Sequence, residues 1–180
     1  MKRKALFLDR DGVINVDYGY VHKIEEFKFI EGIFELTRLA SSKDYIICVI
    51  TNQAGIARGY YSVSEFKYLN KWMCNEFKTK GVTIDKVYYS PYHPLHGIGK
   101  YKKNHISRKP RSGMFHQAIS EFNIDAEGSI SIGDNITDIQ ASSSAGIGKN
   151  LYLGDEDISD KKGVSNYFNI NGLKEALEYL

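Results

Sequence analysis

Two carboxylates stand two residues apart directly after a short apolar run near the start of the chain, in the sequence Asp9-Arg10-Asp11-Gly12. Alternate side chains of an extended strand point the same way, so Asp9 and Asp11 would repel each other there. A bound cation resolves that repulsion, and oxygen ligands beside a phosphate suit Mg²⁺. Because the same motif occurs in loops and in calcium sites, further residues are needed before it indicates catalysis.

Two later segments offer groups that bind phosphate. Thr51-Asn52-Gln53 follows a second apolar run and provides a hydroxyl next to backbone N–H groups, as ordinary turns also do. Arg108 and Lys109 provide a guanidinium that grips phosphate with two hydrogen bonds and a point charge. A solvated basic loop would contain the same two residues, so each segment alone is ambiguous.

A further carboxylate follows another apolar run, at Gly133-Asp134, and Asp138 lies four residues further on. Asp138 is either part of the site or a helix-start residue favoured by the helix dipole. A nucleophile, a hydroxyl, a lysine and a metal-binding carboxylate thus each follow a separate apolar run. Their combination predicts a phosphoryl-transfer site that uses Mg²⁺.

The elements that must position these groups alternate between β-branched or aromatic runs and segments of helical periodicity. This pattern predicts an α/β, Rossmann-like parallel sheet with helices on both faces, in one domain over residues 1–180. Open α/β sheets bind ligands outside the carboxyl ends of their strands, where the four polar groups and two long loops lie. The predicted strands are 5–8, 45–50, 86–89, 129–132, 150–153 and 166–168, and the predicted helices are 33–41, 62–80, 113–122, 136–144 and 171–180.

Composition restricts the function classes only in general terms. The net charge of +2 gives no indication of a nucleic-acid or membrane partner. The apolar stretch before Asp9 is too short for a signal sequence or a membrane span, so we expect a cytoplasmic protein, and a monomer by default. Cys48 and Cys74 have no nearby cysteine partner, which favours buried thiols over a disulfide or a metal pair.

The order of these motifs resembles the haloacid-dehalogenase (HAD) superfamily of aspartate-nucleophile phosphatases, up to about residue 153. Longer runs resemble the D-glycero-D-manno-heptose 1,7-bisphosphate 7-phosphatase family: DRDGVIN at 9–15, GYVH at 19–22, TNQAGIARG at 51–59 and RKP at 108–110. The resemblance implies removal of the 7-phosphate through an aspartyl-phosphate intermediate, on a pathway to bacterial surface glycans. The related histidinol-phosphate phosphatases share much of the pattern and are the first alternative, and an inactive phosphosugar-binding module is the second.

The resemblance also implies a role for each motif. Asp9 is the nucleophile and a Mg²⁺ ligand, while Asp11 is the general acid that then becomes the base. The Asp11 carbonyl and Asp134 complete the metal site, and Asp138 supports it. The phosphoryl oxygens are held by Thr51 and Lys109.

No segment is long enough for the separate cap domain of many superfamily members, so loops must form the pocket. Arg108 is then expected to bind the second phosphate or a hydroxyl of the substrate, which favours a bisphosphate. Loop packing is the alternative role for the two tyrosines in the pocket. The full set of expected substrate-binding residues is Asp17, Tyr18, Gly19, Tyr20, Asn52, Gln53 and Arg108.

The sequence departs from the family at a zinc site. The positions of the family's four zinc ligands carry Ser90, Tyr92, His105 and Ser107, and one imidazole cannot hold a structural tetrahedral site. We therefore predict no zinc and a loop held by packing and hydrogen bonds. A rearranged site made of His93, His96 and His105 is the alternative.

Overall fold

The computed structural model describes residues 2–180. Its centre is a six-stranded sheet in which every neighbouring pair is parallel. The strand order is β3-β2-β1-β4-β5-β6, so the chain moves outward in one direction from β1 and then returns to β4 on its other side. The strands are β1 (Ala5–Leu8), β2 (Ile46–Asn52), β3 (Lys86–Ser90), β4 (Ile130–Gly133), β5 (Lys149–Leu153) and β6 (Tyr167–Ile170).

The central strands are apolar throughout because helices cover both faces of the sheet. In β1, Leu6 and Leu8 face one hydrophobic core, and Ala5 and Phe7 face another. The first core contains residues of α1 (Ile33–Ser42) and α3 (Val63–Thr79), and the second contains residues of α4 (Gly113–Phe122) and α5 (Ile136–Ser144). The predicted α/β fold with helices on both faces is confirmed.

The helix starts follow from capping chemistry. Ser62 and Glu65 form the predicted capping box at α3: the Glu65 N–H donates to Ser62 Oγ at 3.2 Å, and the Ser62 N–H donates to Glu65 Oε2 at 2.7 Å. Asn135 and Asp138 form a second capping box at the start of α5. The second box fixes Asp138 close to the end of β4, which matters for the site.

Two predictions of secondary structure are wrong. The C-terminal segment predicted as a helix over 171–180 contains a 3₁₀ turn at Glu175–Tyr179, and the short α2 (Ala54–Arg58) was not predicted. The five residues of α2 are too few to show helical periodicity, and the C-terminal segment forms only a five-residue 3₁₀ turn. Within residues 2–180 the long loops contain 3₁₀ turns at Ile24–Glu26 and Gly99–Tyr101 and isolated β-bridges at Asn15, and they form no separate cap domain. No helix in this range has an apolar stretch of the length that a bilayer requires.

Candidate active site

An acidic cluster forms between β1 and β4, where the order of the strands along the sheet reverses. Open α/β sheets bind ligands at such a position. Asp9 follows β1, and its N–H donates to Ile132 O of β4 at 3.0 Å. Oxygens of Asp9, Asp134 and Asp138 all lie within 4.8 Å of one another. Gly12 has a φ of +88°, and a Cβ atom there would lie 1.8 Å from Asp134 Oδ2. The loop after β1 can therefore cover Asp134 only with glycine at this position.

Lys109 joins two members of this cluster. Its side chain is buried, and Nζ donates to Asp9 Oδ1 at 2.9 Å, to Asp138 Oδ1 at 2.6 Å and to Ile50 O at 2.7 Å. The Asn52 side chain fixes the backbone of Lys109, because Nδ2 donates to Lys109 O and Oδ1 accepts from Lys109 N, both at 3.1 Å. Asn52, expected to bind substrate, thus positions the lysine while it also lines the cleft.

One lysine faces three carboxylates in the cluster, and the pKa values reflect this imbalance. Burial raises the pKa of Asp9, Lys109 opposes it, and Asp138 and Asp134 add to the rise, so that the pKa is about 8. Burial and the nearby Asp138 raise the pKa of Asp134 to about 7. Burial alone would lower the pKa of Lys109, but Asp138 and Asp9 raise it above its usual value. The excess negative charge and the all-oxygen donor set fit a hard divalent cation.

The Asp11 side chain forms its hydrogen bonds with residues outside the acidic cluster. Arg10, which is fully buried, donates from Nη2 to both Asp11 oxygens at 2.8 Å. Asn15 Nδ2 donates to Oδ1 at 3.1 Å, and Gln53 Nε2 donates to Oδ2 at 3.0 Å. The two carboxylates are not left unpaired: β1 ends at Leu8, and Asp11 pairs with Arg10 while Asp9 pairs with Lys109.

Thr51 and Gln53 lie behind the cleft wall. Both side chains are buried, and Gln53 Nε2 donates to Thr51 Oγ1 at 2.9 Å. Since the Thr51 oxygen accepts this hydrogen bond, its hydroxyl proton is available to another acceptor. The Tyr61 hydroxyl donates to Gln53 Oε1 at 2.5 Å, which commits both ends of the Gln53 amide.

A cleft of about 560 Å³ opens beside the acidic cluster. The predicted catalytic residue Thr51 and the predicted substrate-binding residue Gln53 are not part of its lining, and Tyr18 lies outside it with 63% of its surface exposed. Sequence reasoning also did not assign Tyr61 and Thr137, whose spacing from the motifs carries no signal. The cleft is lined by Asp9, Asp11, Asp17, Gly19, Tyr20, Asn52, Ala54, Tyr61, Arg108, Lys109, Asp134, Asn135, Thr137 and Asp138.

Two arginines lie at the cleft. Arg108 Nη1 donates to Tyr92 O at 3.0 Å, and Arg58 lies over the ring of Tyr20, 5.9 Å from its centroid. Burial lowers the pKa of Arg108, and the nearby positive charge of Arg58 lowers it further. Neither arginine is in an ion pair with a carboxylate in residues 2–180. The cleft therefore has unneutralised positive charge near Tyr20, in addition to its acidic cluster.

Comparisons with known proteins agree with this geometry. A family model described as polynucleotide kinase 3 phosphatase matches residues 8–166. D-glycero-alpha-D-manno-heptose-1,7-bisphosphate 7-phosphatase of Burkholderia mallei is 52% identical over 159 residues, which are 88% of this chain and 84% of the relative. This chain belongs to the D-glycero-D-manno-heptose-1,7-bisphosphate 7-phosphatase family. Another family member, D-glycero-beta-D-manno-heptose-1,7-bisphosphate 7-phosphatase of Vibrio cholerae, is 47% identical over 85% of this chain and 82% of its own.

Solved structures show that the family fold extends over nearly the whole chain. A HAD-like protein from Mesorhizobium loti superposes with a TM-score of 0.88 at 31% identity, over 99% of this chain and 86% of its own. D,D-heptose 1,7-bisphosphate phosphatase from B. bronchiseptica, solved with magnesium and phosphate, superposes with a TM-score of 0.80 over 97% of this chain and 96% of its own. At 23% identity the second comparison shows the fold.

The four positions that the heptose bisphosphate phosphatase family uses for zinc are close together here. Ser107 Oγ donates to Ser90 Oγ at 3.0 Å, and His105 Nδ1 lies 2.8 Å from Ser107 Oγ. The His105 ring stacks on Tyr92 with 4.3 Å between centroids. No three histidines in residues 2–180 place their ring nitrogens within 4.8 Å of one another. Hydrogen bonds and stacking thus connect these positions, and the absence of zinc stays a prediction.

Proposed function

We propose that this chain is a Mg²⁺-dependent phosphatase that converts D-glycero-D-manno-heptose 1,7-bisphosphate to heptose 1-phosphate. The observation that carries the proposal is the position of Lys109 Nζ, bound to Asp9 and Asp138 within a cluster of three carboxylates that lines a cleft. The cleft thus brings together a nucleophile, a cation that can bind phosphoryl oxygens and a set of carboxylates that can bind a metal. The family relation supports the substrate.

Mg²⁺ would be held by Asp9, Asp134 and the Asp11 carbonyl, with Asp138 in support, and would supply the charge that lets a carboxylate approach a phosphate dianion. The Asp9 side chain is 13% exposed, and its Oδ1 is bound to Lys109. Its second oxygen attacks phosphorus, an O–P bond forms, and the bond from phosphorus to the sugar oxygen breaks. Asp11 gives its proton to that sugar oxygen as it leaves.

The aspartyl-phosphate on Asp9 is then hydrolysed. Asp11 takes a proton from the attacking water, phosphate leaves, and Asp9 is regenerated. Lys109 and the Thr51 hydroxyl hold the phosphoryl oxygens in both steps. One such donor contributes about 3–4 kcal/mol, whereas phosphate monoester hydrolysis demands an acceleration of up to roughly 10²¹-fold, so these groups must act together.

The second phosphate is the feature that distinguishes the candidate substrates. Arg108 lines the cleft, and Arg58 lies over the ring of Tyr20, which also lines it. Neither arginine's positive charge has a carboxylate partner in residues 2–180, which suits a second anionic group. Histidinol phosphate carries a cationic amine that this charge would repel. The sugar would lie against Asp17, Gly19 and Tyr20, which line the same cleft. Charge at the cleft therefore favours a bisphosphate.

The test is a comparison of kcat/KM at fixed Mg²⁺ for both anomers of the heptose bisphosphate, heptose 7-phosphate and histidinol phosphate. We expect one or both bisphosphates to exceed the other two esters by about tenfold or more, the value of one charged hydrogen bond. A preference for histidinol phosphate would contradict the substrate assignment. The absence of Mg²⁺-dependent phosphate release from every ester would instead favour an inactive binding module. We also propose that the enzyme is a monomeric single domain that acts in the cytoplasm. Gel filtration of the purified chain tests whether it is a monomer.

A further inference from the structure

The amide of Gln53 connects a buried tyrosine to the general acid that the proposed function requires. Nε2 of Gln53 donates to Asp11 Oδ2 at 3.0 Å, and its Oε1 accepts from the Tyr61 hydroxyl at 2.5 Å. Gln53 is 1% exposed and Tyr61 is 5% exposed, so water does not readily replace either hydrogen bond. A continuous connection therefore leads from Tyr61 to Asp11.

The polarity of this connection is fixed by chemistry. Once Asp11 has given its proton away, its carboxylate only accepts hydrogen bonds, so the NH₂ end of Gln53 has to face Asp11. The carbonyl end must then face Tyr61, whose hydroxyl has to donate. A phenylalanine in place of Tyr61 would leave the carbonyl oxygen of Gln53 buried without its donor, and only the contacts of Nε2 with Asp11 and Thr51 would still hold the amide.

Gln53 contacts the less crowded of the two Asp11 oxygens. Oδ1 of Asp11 accepts from Arg10 Nε, Arg10 Nη2 and Asn15 Nδ2, which is one donor more than its two lone pairs. Oδ2 accepts only from Arg10 Nη2 and Gln53 Nε2 among the described residues. Oδ2 is therefore the oxygen better able to exchange a proton, and Gln53 is one of the two groups that determine where it lies.

The position of the Tyr61 ring is itself determined by its neighbours. The ring stacks on His22 with 4.9 Å between centroids and 8° between planes. Its other neighbour is Gly55 in α2, where a Cβ atom would lie 2.1 Å from Tyr61 Cε1. The ring can reach Gln53 because Gly55 has no side chain, and the stacking on His22 does not depend on the hydroxyl.

We propose that Tyr61, acting through Gln53, is a positioning residue for Asp11 that holds Oδ2 in the orientation for proton transfer to the leaving sugar oxygen. This inference rests on the proposed function, because it needs Asp11 to act as the general acid. Tyr61 touches neither the phosphorus nor the metal-binding carboxylates. Its effect should therefore depend on how much the leaving group needs a proton.

The experiment measures kcat/KM of the Tyr61→Phe enzyme with two kinds of ester. A sugar phosphate needs the proton from Asp11, whereas 4-nitrophenyl phosphate releases a weakly basic anion that needs none. We expect kcat/KM to fall about tenfold for the sugar phosphate, a fraction of the roughly 10²–10⁴ that proton transfer contributes, and less than about twofold for 4-nitrophenyl phosphate. Tyr68→Phe, on an exposed tyrosine of α3, is the matched control and should change neither value.

A second variant separates positioning from folding. Gln53→Met removes the amide but keeps the length of the side chain, and it should show the same selective loss. Combining it with Tyr61→Phe should cost no more than Gln53→Met alone, because Tyr61 acts through Gln53. Equal losses for both esters, no loss, or additive losses in the double variant would each overturn the inference.

The sugar phosphate in this experiment is whichever one the wild-type enzyme hydrolyses. A wild type that prefers histidinol phosphate would overturn the substrate assignment, and the selective loss would then be measured on that ester. A wild type without turnover of any ester would overturn both the proposed function and the positioning role. The two failures are therefore distinguishable.

Discussion

Asp9→Asn should abolish turnover and at the same time stabilise the metal-free protein. The amide keeps the shape of the carboxylate and an oxygen that can accept from Lys109 Nζ, which now bonds to Asp9 Oδ1 at 2.9 Å. It removes the nucleophile, and loss of an essential nucleophile lowers kcat by about 10⁴-fold or more. It also removes a negative charge from a cluster that already holds Asp134 and Asp138.

The size of the stabilisation follows from the pKa of Asp9, which burial and the neighbouring carboxylates, opposed by Lys109, raise from 3.8 to about 8. Below pH 4 the carboxyl is protonated in both the folded and the unfolded states. Between pH 4 and 8 the unfolded chain releases the proton and the folded chain keeps it, so the wild type loses stability as pH rises. At up to about 1.36 kcal/mol per pH unit the loss is on the order of 5 kcal/mol at pH 8. The uncharged asparagine does not incur this loss.

The assay is thermal unfolding of wild type and Asp9→Asn in EDTA at pH 5 and pH 8. At pH 5 the same arithmetic gives about 1.6 kcal/mol, so the variant should melt only about 3–7 °C higher, and at pH 8 it should melt roughly 10–20 °C higher. Mg²⁺ should raise the melting temperature of the wild type more than that of the variant. Asp160→Asn, at a side chain that is 74% exposed, is the control and should show no such difference. A variant that melts below the wild type at pH 8 would refute the reasoning on burial, and retained turnover would refute the role of Asp9.

The remaining predictions concern the cation, the second phosphate and zinc. Lys109→Met leaves a buried carboxylate pair without its cation, so we expect about 3–5 kcal/mol lower stability and about 10²–10³-fold lower kcat. Lys86→Met, which breaks an exposed pair with Glu121, should cost less than about 1 kcal/mol, and equal losses in urea unfolding would contradict this difference. Arg108→Ala should raise KM for the heptose bisphosphate about 10–100-fold and leave KM for heptose 7-phosphate nearly unchanged. Arg111→Ala, at an exposed arginine, is the control. Equal effects on both esters would show that Arg108 does not bind the second phosphate. Metal analysis of the purified chain should find no stoichiometric zinc, and one equivalent of zinc would show that the substituted positions still bind it.

Much of the fold could be predicted from the sequence because the central strands are short apolar runs bounded by polar residues. β1 matches its predicted bounds, and Ser62 and Glu65 form the expected capping box. The element that was not predicted is of another kind. α2 has five residues, too few for a periodic pattern, and it forms because Gln53 and Gly59 end it on both sides within a tight loop. Local context rather than periodicity determines such elements.

The site was predictable where polar residues follow strand ends and was not where side chains meet across loops. Asp9, Lys109 and Asp134 come together as expected because parallel strands end at one edge of the sheet. Arg10 and Tyr61 were not assigned to the site. Arg10 gave a weak signal, since it stands between two carboxylates, but only the fold shows that it is fully buried against Asp11. Tyr61 gave none, because its contact with Gln53 depends on the turn of α2 around Gly55.

The end of β1 supplies two carboxylates to two electrostatic environments, and this separation bears on the assignment of their roles. Asp9 shares one lysine with Asp138 and lies within 4.8 Å of Asp134, so its surroundings carry excess negative charge. Asp11 has a fully buried arginine to itself and two amide donors. Two neighbouring carboxyl groups with different surroundings can take different roles, and Asp9 can act as the nucleophile only with a cation that keeps it ionised. Since the charge at Asp9 alone is left unbalanced, a divalent cation should bind on its side and leave the contacts of the Asp11 side chain unchanged.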